Sequence, residues 1–487
     1  MNAAYLFALS PFLALACTSI VVMLAAAFCR GHKLAATLTF IGIAASMALL
    51  AIAWPMAPLQ VTSLLLIDHY ALFFMGLIMA ATFAVAIFSY DYMEKWDYPT
   101  STGNSPANVE RREEYYILLI LSTAGASVLV ASTHFASFFL GLELLSVPLY
   151  ALVAYERNRM ENIEAGTKYL ILAGAASAFL LFGMALIYAD LGSMEFQRLA
   201  SSINEGEYGL ITLAGLGMIV VGLGFKLSLV PFHLWAPDVY QGAPAPATAF
   251  IATVSKGAVF ALLLRYFTAL NAQLMDQPVL LFTVLALASM FAGNWLALKQ
   301  RNVKRMLAYS SIAHMGYLLV AFLASGNLAT VAVAYYLTAY TVTTLGAFGI
   351  VSVLSTAERD ADAPKDYIGL ASRRPWLAAV FSLMLLSLAG IPLTAGFIGK
   401  FFVLSAGVRD NLWLLVISMA INSAIGLFYY LRTMLLMYRS PVEAQESPRQ
   451  AERIPLPSSA ALLALTLALL WLGLYPTPMI RLIESIL

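Results

Sequence analysis

The sequence predicts an all-α polytopic membrane protein with about fourteen transmembrane helices, on three observations. First, 61% of the residues are apolar and only 11% are charged, with a mean hydropathy of +0.84, against about 25% charged residues in soluble domains. Second, apolar runs of about twenty residues recur along the whole length, and no linker is long enough to hold a soluble domain. Third, the net charge of +1 gives no sign of nucleic acid or of an acidic partner surface, so the placement of charges carries more information than their sum.

Taken in order, the spans fall near 4-28, 34-54, 65-90, 115-132, 135-154, 165-189, 209-240, 245-270, 277-297, 306-324, 328-354, 375-405, 411-437 and 456-484. Charged or proline-rich linkers part them at 91-114, 155-164, 355-374 and 438-455. The first span could be mistaken for a signal peptide, since Leu13 to Cys17 resembles a lipoprotein cleavage site. It lacks a positively charged leader, and its apolar run continues to Phe28, past the 7 to 15 residues of a signal core. Cys17 and Cys29 stand twelve residues apart on one predicted helix, about 18 Å, too far to bond to each other. They supply neither a disulfide framework nor the cysteine set of an iron–sulfur cluster. No glycine-rich dinucleotide-binding turn accompanies them, so the chain by itself is expected to bind no flavin, haem, cluster or NADH.

Basic residues set the orientation. With the N-terminus outside, the inner loops collect Arg30 and Lys33, then Lys95, Arg111 and Arg112, then Arg157 and Arg159, then Lys299, Arg301, Lys304 and Arg305. Arg359, Lys365, Arg373 and Arg374 follow, and finally Arg439, Arg449 and Arg453, while the outer loops keep Arg198, Arg409 and Arg481. This asymmetry matches the positive-inside rule and places both termini outside.

Five ionisable residues interrupt these runs: Glu143, Lys168, Lys226, Lys256 and Lys400. A charge at the bilayer centre costs roughly 2.5 to 3.5 kcal/mol on insertion scales, so such residues face a partner or a water-filled path. The set joins one acid to bases that can lose a proton, with no arginine among them, which points to titrating groups on a proton path. Two spans are also broken by proline. Pro231 removes an N–H and crowds the carbonyl of Leu227, beside Lys226. Pro392 is flanked by glycines, and Lys400 lies about 12 Å further along the axis. Pro148, five residues after Glu143, is a weaker third case. Unwound backbone at membrane depth has to be buried or line a cavity.

Helices seven and twelve would thus be discontinuous, each standing fourth in a five-helix unit, at 115-270 and 277-437. An odd number of helices turns the second unit upside down, giving two inverted five-helix repeats with 1-114 before them and 438-487 after them as a C-terminal helix.

The stretch GLGFKLSLVPFHLWAPDVYQGAPAP from Gly222 to Pro246, with YSSIAHMGY from Tyr309 to Tyr317 and SLAGIPLTAGFIGKF from Ser387 to Phe401, resembles the antiporter-like subunits of respiratory complex I. The resemblance covers nearly the whole chain, and the lysine of the broken twelfth helix sets it apart from subunit M, where glutamate is typical. It implies fourteen helices in two inverted repeats and proton translocation coupled to electron transfer from NADH to quinone. It also implies a bacterial inner-membrane location. FMN, iron–sulfur clusters and quinone would be held by other subunits, and the partners would be the neighbouring subunit M and small membrane subunits such as K. Residue by residue, it makes Glu143 the helix-five glutamate, Lys168 the helix-six lysine that modulates the central site, and Lys226, Lys256 and Lys400 the lysines of helices seven, eight and twelve. His233 and His314 match positions on the polar connection between the halves.

Elementary electrostatics fits this assignment. A lysine, with a reference pKa of about 10.4, trades protons near neutral pH only if about 4 kcal/mol of desolvation brings it down, and a nearby carboxylate opposes that change. Moving the acid towards or away from the base then loads or discharges the site. Glu143 is accordingly expected to couple to Lys168 or Lys226. Plainer roles suit other residues: His134, Arg265 and the His69–Asp68 pair fall near helix ends, and Asp238 after Pro237 suits a turn or cap. His233 and His314 could serve as proton relays or simply satisfy backbone groups. Two alternatives to the redox-pump reading are a subunit of a multisubunit sodium/proton antiporter and a purely structural scaffold. The intramembrane charges weigh against the scaffold.

Overall fold

Backbone N–H and C=O groups cannot be left bare in hydrocarbon, so long apolar runs have to close their hydrogen bonds internally as helices. The computed structural model describes residues 3–95, 112–157, 159–206, 208–269, 276–440 and 455–486. Arg111, Arg449, Arg453 and most of the 91-114 and 438-455 linkers lie outside them.

The helices run α1 Ala3–Phe28, α2 His32–Ala53, α3 His69–Glu94, α4 Arg112–Ala131, α5 Phe135–Val153, α6 Met160–Leu191, α7 Phe196–Asn204, α8 Leu210–Leu227, α9 Trp235–Gly242, α10 Ala245–Phe250 and α11 Lys256–Ala269. They continue as α12 Asp276–Lys299, α13 Val303–Leu323, α14 Gly326–Leu354, α15 Pro364–Tyr367, α16 Leu370–Arg373, α17 Pro375–Ala389, α18 Ala395–Arg409, α19 Trp413–Tyr438, α20 Leu456–Leu474 and α21 Thr477–Ser485. Among the described residues, thirteen helical stretches are long and apolar enough to cross a membrane. The remaining expected crossing is the pair α17 and α18, shorter helices in line with the predicted break.

As expected, the seventh span is discontinuous, two helices with non-helical chain over 228–234, and the twelfth splits at 390–394. Other elements differ from expectation. The last span, read as one helix, ends at Leu474 because Tyr475 precedes Pro476 and is pushed away from the helical region. Residues 65–67 form a strand, not the start of a helix: β1 Leu59–Thr62 and β2 Leu65–Ile67 pair antiparallel, and α3 begins only where the Asp68 carboxylate accepts the Ala71 N–H at 2.8 Å. Pro148 does not break α5, which runs straight through it. Between α6 and α8, α7 buries Phe196, Leu199, Ala200 and Ile203, one face at helical spacing.

α10, α11 and α13 are buried on all sides and α14 nearly so, while α1, α2, α6, α12, α19 and α20 present apolar side chains outward. Close approach positions the helix that carries Lys226. A Cβ on Gly183 would sit 2.6 Å from the Gly215 carbonyl oxygen, so glycine on both helices lets α6 and α8 touch through their backbones.

Candidate proton pathway

Lys226 occupies the last turn of α8, which ends because Ser228 turns left-handed at φ 59. The break leaves carbonyls of that turn without helical partners, and the Trp235 indole N–H of α9 donates to one, Phe225 O, at 2.8 Å. Lys226 Nζ, 3% exposed, donates to Ser146 Oγ of α5 at 2.6 Å and stands 5.7 and 5.5 Å from the ring centres of Tyr150 and Tyr169. Beyond the break, Pro231 and His233 belong to the non-helical stretch; His233 is buried, and its Nδ1 has no hydrogen-bond partner among the described residues.

Glu143 lies one turn before Ser146 on α5 and accepts a hydrogen bond from Ser177 Oγ at 2.7 Å. It therefore neighbours the hydroxyl that holds Lys226, without contacting the lysine itself.

A π-helical turn, Ile251–Ser255, immediately precedes Lys256. Such turns insert a residue into the helical register and re-aim the side chains after them. Lys256, fully buried, points its Nζ at Ser311 Oγ of α13 at 2.7 Å and lies 5.4 Å from the Tyr240 ring centre. Ser311 also shares a 2.6 Å hydrogen bond with Tyr340. One turn along α13, His314 places Nδ1 2.6 Å from the Tyr336 hydroxyl and Nε2 3.2 Å from that of Tyr430, which is itself bonded to Ser310.

The second break, around Pro392, is built differently. α17 stops at Gly390, φ 83, and Leu393 is also left-handed at φ 73. Lys400 of α18 reaches back to the last carbonyl of α17, Ala389 O, at 2.9 Å and to Ser423 Oγ of α19 at 2.8 Å. This is a cation at a helix C-terminus, where the dipole favours it. The left-handed backbone favours glycine at 390, and a Cβ there would also lie 2.7 Å from Lys400 Cδ. The Tyr317 ring stands 5.2 Å from Nζ, and its hydroxyl accepts from Asn294 at 2.8 Å.

Hence Lys226, Lys256 and Lys400 are brought into one buried line of hydroxyls and rings, and none of them forms an ion pair among the described residues. Each ammonium rests on a serine. A buried ammonium held by neutral groups has no counter-charge fixing its proton, which suits a group that must pass the proton on.

Lys168 departs from expectation. It lies two turns into α6 with its side chain 44% exposed, and it pairs with Glu164 at 2.7 Å and Asp238 at 3.1 Å. It makes no contact with Glu143, and its long stem carries the ammonium to these two exposed carboxylates. Asp238, expected to act as a turn or cap, is instead shared by Lys168 and by Arg305 of α13, the latter at 2.6 Å. Lys304, expected among loop charges, is buried and donates to Asp360 at 2.5 Å and to Ala243 O at 2.6 Å. His134 accepts from Ala136 N as the cap of α5, and Arg265 makes a two-pronged ion pair with Asp68, so these residues are structural.

The residues missed from sequence are Ser146, Ser311 and Ser423, the tyrosines around His314, and the π turn. Of these tyrosines only Tyr317 carried a signal, as the last residue of the Tyr309 to Tyr317 motif, whereas Tyr336, Tyr340 and Tyr430 lie outside it. Serines in apolar helices are too common to stand out.

A family model described as NADH:quinone oxidoreductase/Mrp antiporter, TM matches residues 132–426. The chain is 47% identical over 486 residues to NADH-quinone oxidoreductase subunit N of Ectopseudomonas mendocina (strain ymp), covering 99% of this chain and 97% of that one. It is 48% identical over 481 residues to the protein of the same name from Methylococcus capsulatus (strain ATCC 33009 / NCIMB 11132 / Bath), covering 98% and 94%. Among solved structures it is similar to a chain of respiratory complex I from Thermus thermophilus with bound Aureothin, at 30% identity and a TM-score of 0.80 over 97% of this chain and 98% of that one. A chain of the Mrp complex from Dietzia sp. DQ12-45-1b shares the fold, with a TM-score of 0.85 at 19% identity over 100% and 97%.

Proposed function

The chain belongs to the NADH:quinone oxidoreductase/Mrp antiporter transmembrane family, and from that premise we propose that Lys226, Lys256 and Lys400 carry protons along the membrane midplane. The chain acts as a membrane subunit of a NADH-quinone oxidoreductase, of the subunit N kind, in which electron transfer from NADH to quinone drives proton pumping. Full-length relatives of that name support this reading over the sodium/proton antiporter, whose Mrp likeness extends to the fold alone. Flavin, iron–sulfur and quinone chemistry falls to other subunits, and the partners are subunit M and small subunits such as K in a bacterial inner membrane.

One observation carries the pathway: three buried lysines on separate helices, each hydrogen-bonded to a serine and none paired with an acid among the described residues. Between Lys256 and Lys400, the Ser311–Tyr340 pair, His314 with Tyr336 and Tyr430, and the Asn294–Tyr317 pair supply hydroxyls and ring nitrogens that can exchange protons or hold relay waters. Glu143 acts on Lys226 from one turn away along α5: when the carboxylate is close, the ammonium keeps its proton, and when it is withdrawn or neutralised, the proton can leave. This reading takes 115-270 and 277-437 as the two five-helix units, with one broken helix fourth in each. Lys168 serves this scheme from its cytoplasmic edge.

The test is Lys256→Ala in the assembled complex, reconstituted in vesicles, with NADH:quinone activity and proton uptake read together. Unchanged proton uptake would remove Lys256 from the pathway.

A further inference from the structure

We propose that Asp238 is a positioning residue, an ionic latch that docks α9 so that Trp235 closes the passage between Lys226 and Lys256. The inference rests on the proton-carrying reading of those two lysines.

α9 is eight residues long and comes after a seven-residue non-helical stretch, so its own backbone does little to fix its place. Three cations grip it, two at the rim and one buried. Lys168 of α6 and Arg305 of α13 share the Asp238 carboxylate at 3.1 and 2.6 Å, and Arg305 also donates to Gln241 at 3.1 Å. Lys304 donates to Ala243 O at the C-terminal end. The carboxylate therefore ties α9 to one helix from each five-helix unit.

The latch holds in place the stack between the two lysines. The Trp235 ring lies 4.8 Å from Tyr169, nearly parallel, and 5.3 Å from Phe225. Tyr169 borders Lys226, and on the other side of Trp235 the Tyr240 ring, at 6.4 Å, borders Lys256. Lys168 and Tyr169 are consecutive, so α6 holds α9 by charge at the rim and by ring stacking inside. Apolar ring faces occupy the ground between the Lys226–Ser146 pair and the Lys256–Ser311 pair. The Tyr240 hydroxyl is buried beside Ser311, on the Lys256 side of this boundary. Shifting α9 by the width of a water would pull Trp235 from the stack and let a hydrated chain form.

The experiment is Asp238→Asn in the assembled complex in sealed vesicles, reading passive proton leak without NADH and protons moved per NADH oxidised. With the latch weakened by a tenfold change in docking equilibrium, about 1.4 kcal/mol, leak should rise about tenfold and protons per NADH should fall, while Asp238→Glu should restore both. A merely structural carboxylate would change the amount of complex or its rate, but neither leak nor stoichiometry. If Asp238→Asn fails to assemble, Lys168→Gln, which leaves the Arg305 contact standing, should raise leak about threefold. Wild-type leak and stoichiometry in whichever variant assembles would overturn the latch. Where Lys226→Ala abolishes pumping but the latch variants behave as wild type, only the latch falls; where Lys226→Ala pumps normally, the proton-carrier reading falls first.

Discussion

Replacing Lys226 by arginine separates a proton carrier from a fixed charge. In the structure the ammonium makes one charge-assisted hydrogen bond, to Ser146, and two cation–ring contacts, to Tyr150 and Tyr169. The first is worth about 1.5 to 3 kcal/mol and each ring contact about 0.5 to 2 kcal/mol, and guanidinium can keep much of both. Ser146 also donates to Leu142 O, so it is not orphaned even in Lys226→Ala, whose cost should stay near 1 to 3 kcal/mol and permit assembly. Proton transfer behaves otherwise, because a guanidinium does not release its proton in this range. Removing a group that gives and takes protons typically slows that step about 10²- to 10⁴-fold. Both variants should therefore assemble and lose proton uptake, measured in vesicles beside NADH:quinone activity. Near-normal pumping by Lys226→Arg would show that only a fixed positive charge is needed and would refute the carrier role.

Glu143→Gln keeps an oxygen for Ser177 but deletes the charge; pumping should fall, non-additively with Lys226→Ala and additively with Lys168→Ala, as a double-mutant cycle of proton uptake would reveal. Gly390→Ala should cost about 1 to 2 kcal/mol from the left-handed backbone alone and also push on Lys400 Cδ, lowering the thermal midpoint of the complex and its pumping together. For Asp360, burial raises the carboxyl, but Lys304 and Tyr92 outweigh it and hold the group below the usual carboxylate range. A depressed folded value means stability that is present above about pH 4 and lost as pH falls through the lower value, so acid unfolding of the purified complex should be blunted in Asp360→Asn, itself destabilised by about 3 to 5 kcal/mol through the stranded Lys304.

The helices, the two breaks and the charged residues inside apolar runs were legible because each is a property of local sequence. Apolar length fixes a crossing, proline removes a donor, and a lysine amid leucines is conspicuous wherever it points. The split after Leu474 was legible in principle too, in Pro476, but hydropathy averaged over a long window hid it. The partners were not legible. Lys168 and Lys226 look alike in sequence, yet one turns outward to Asp238 and the other inward to Ser146. That choice depends on the rotation of α6 and α8 about their axes and on the close Gly183–Gly215 contact, which nothing local specifies. Likewise the π turn before Lys256 adds one residue to a register that periodicity alone would continue, and it aims the ammonium at Ser311. Sequence by itself determined which residues must be shielded from lipid. Tertiary structure decided what shields them, because side-chain pairing across helices is set by packing angle and phase, and chain-local energies are indifferent to both.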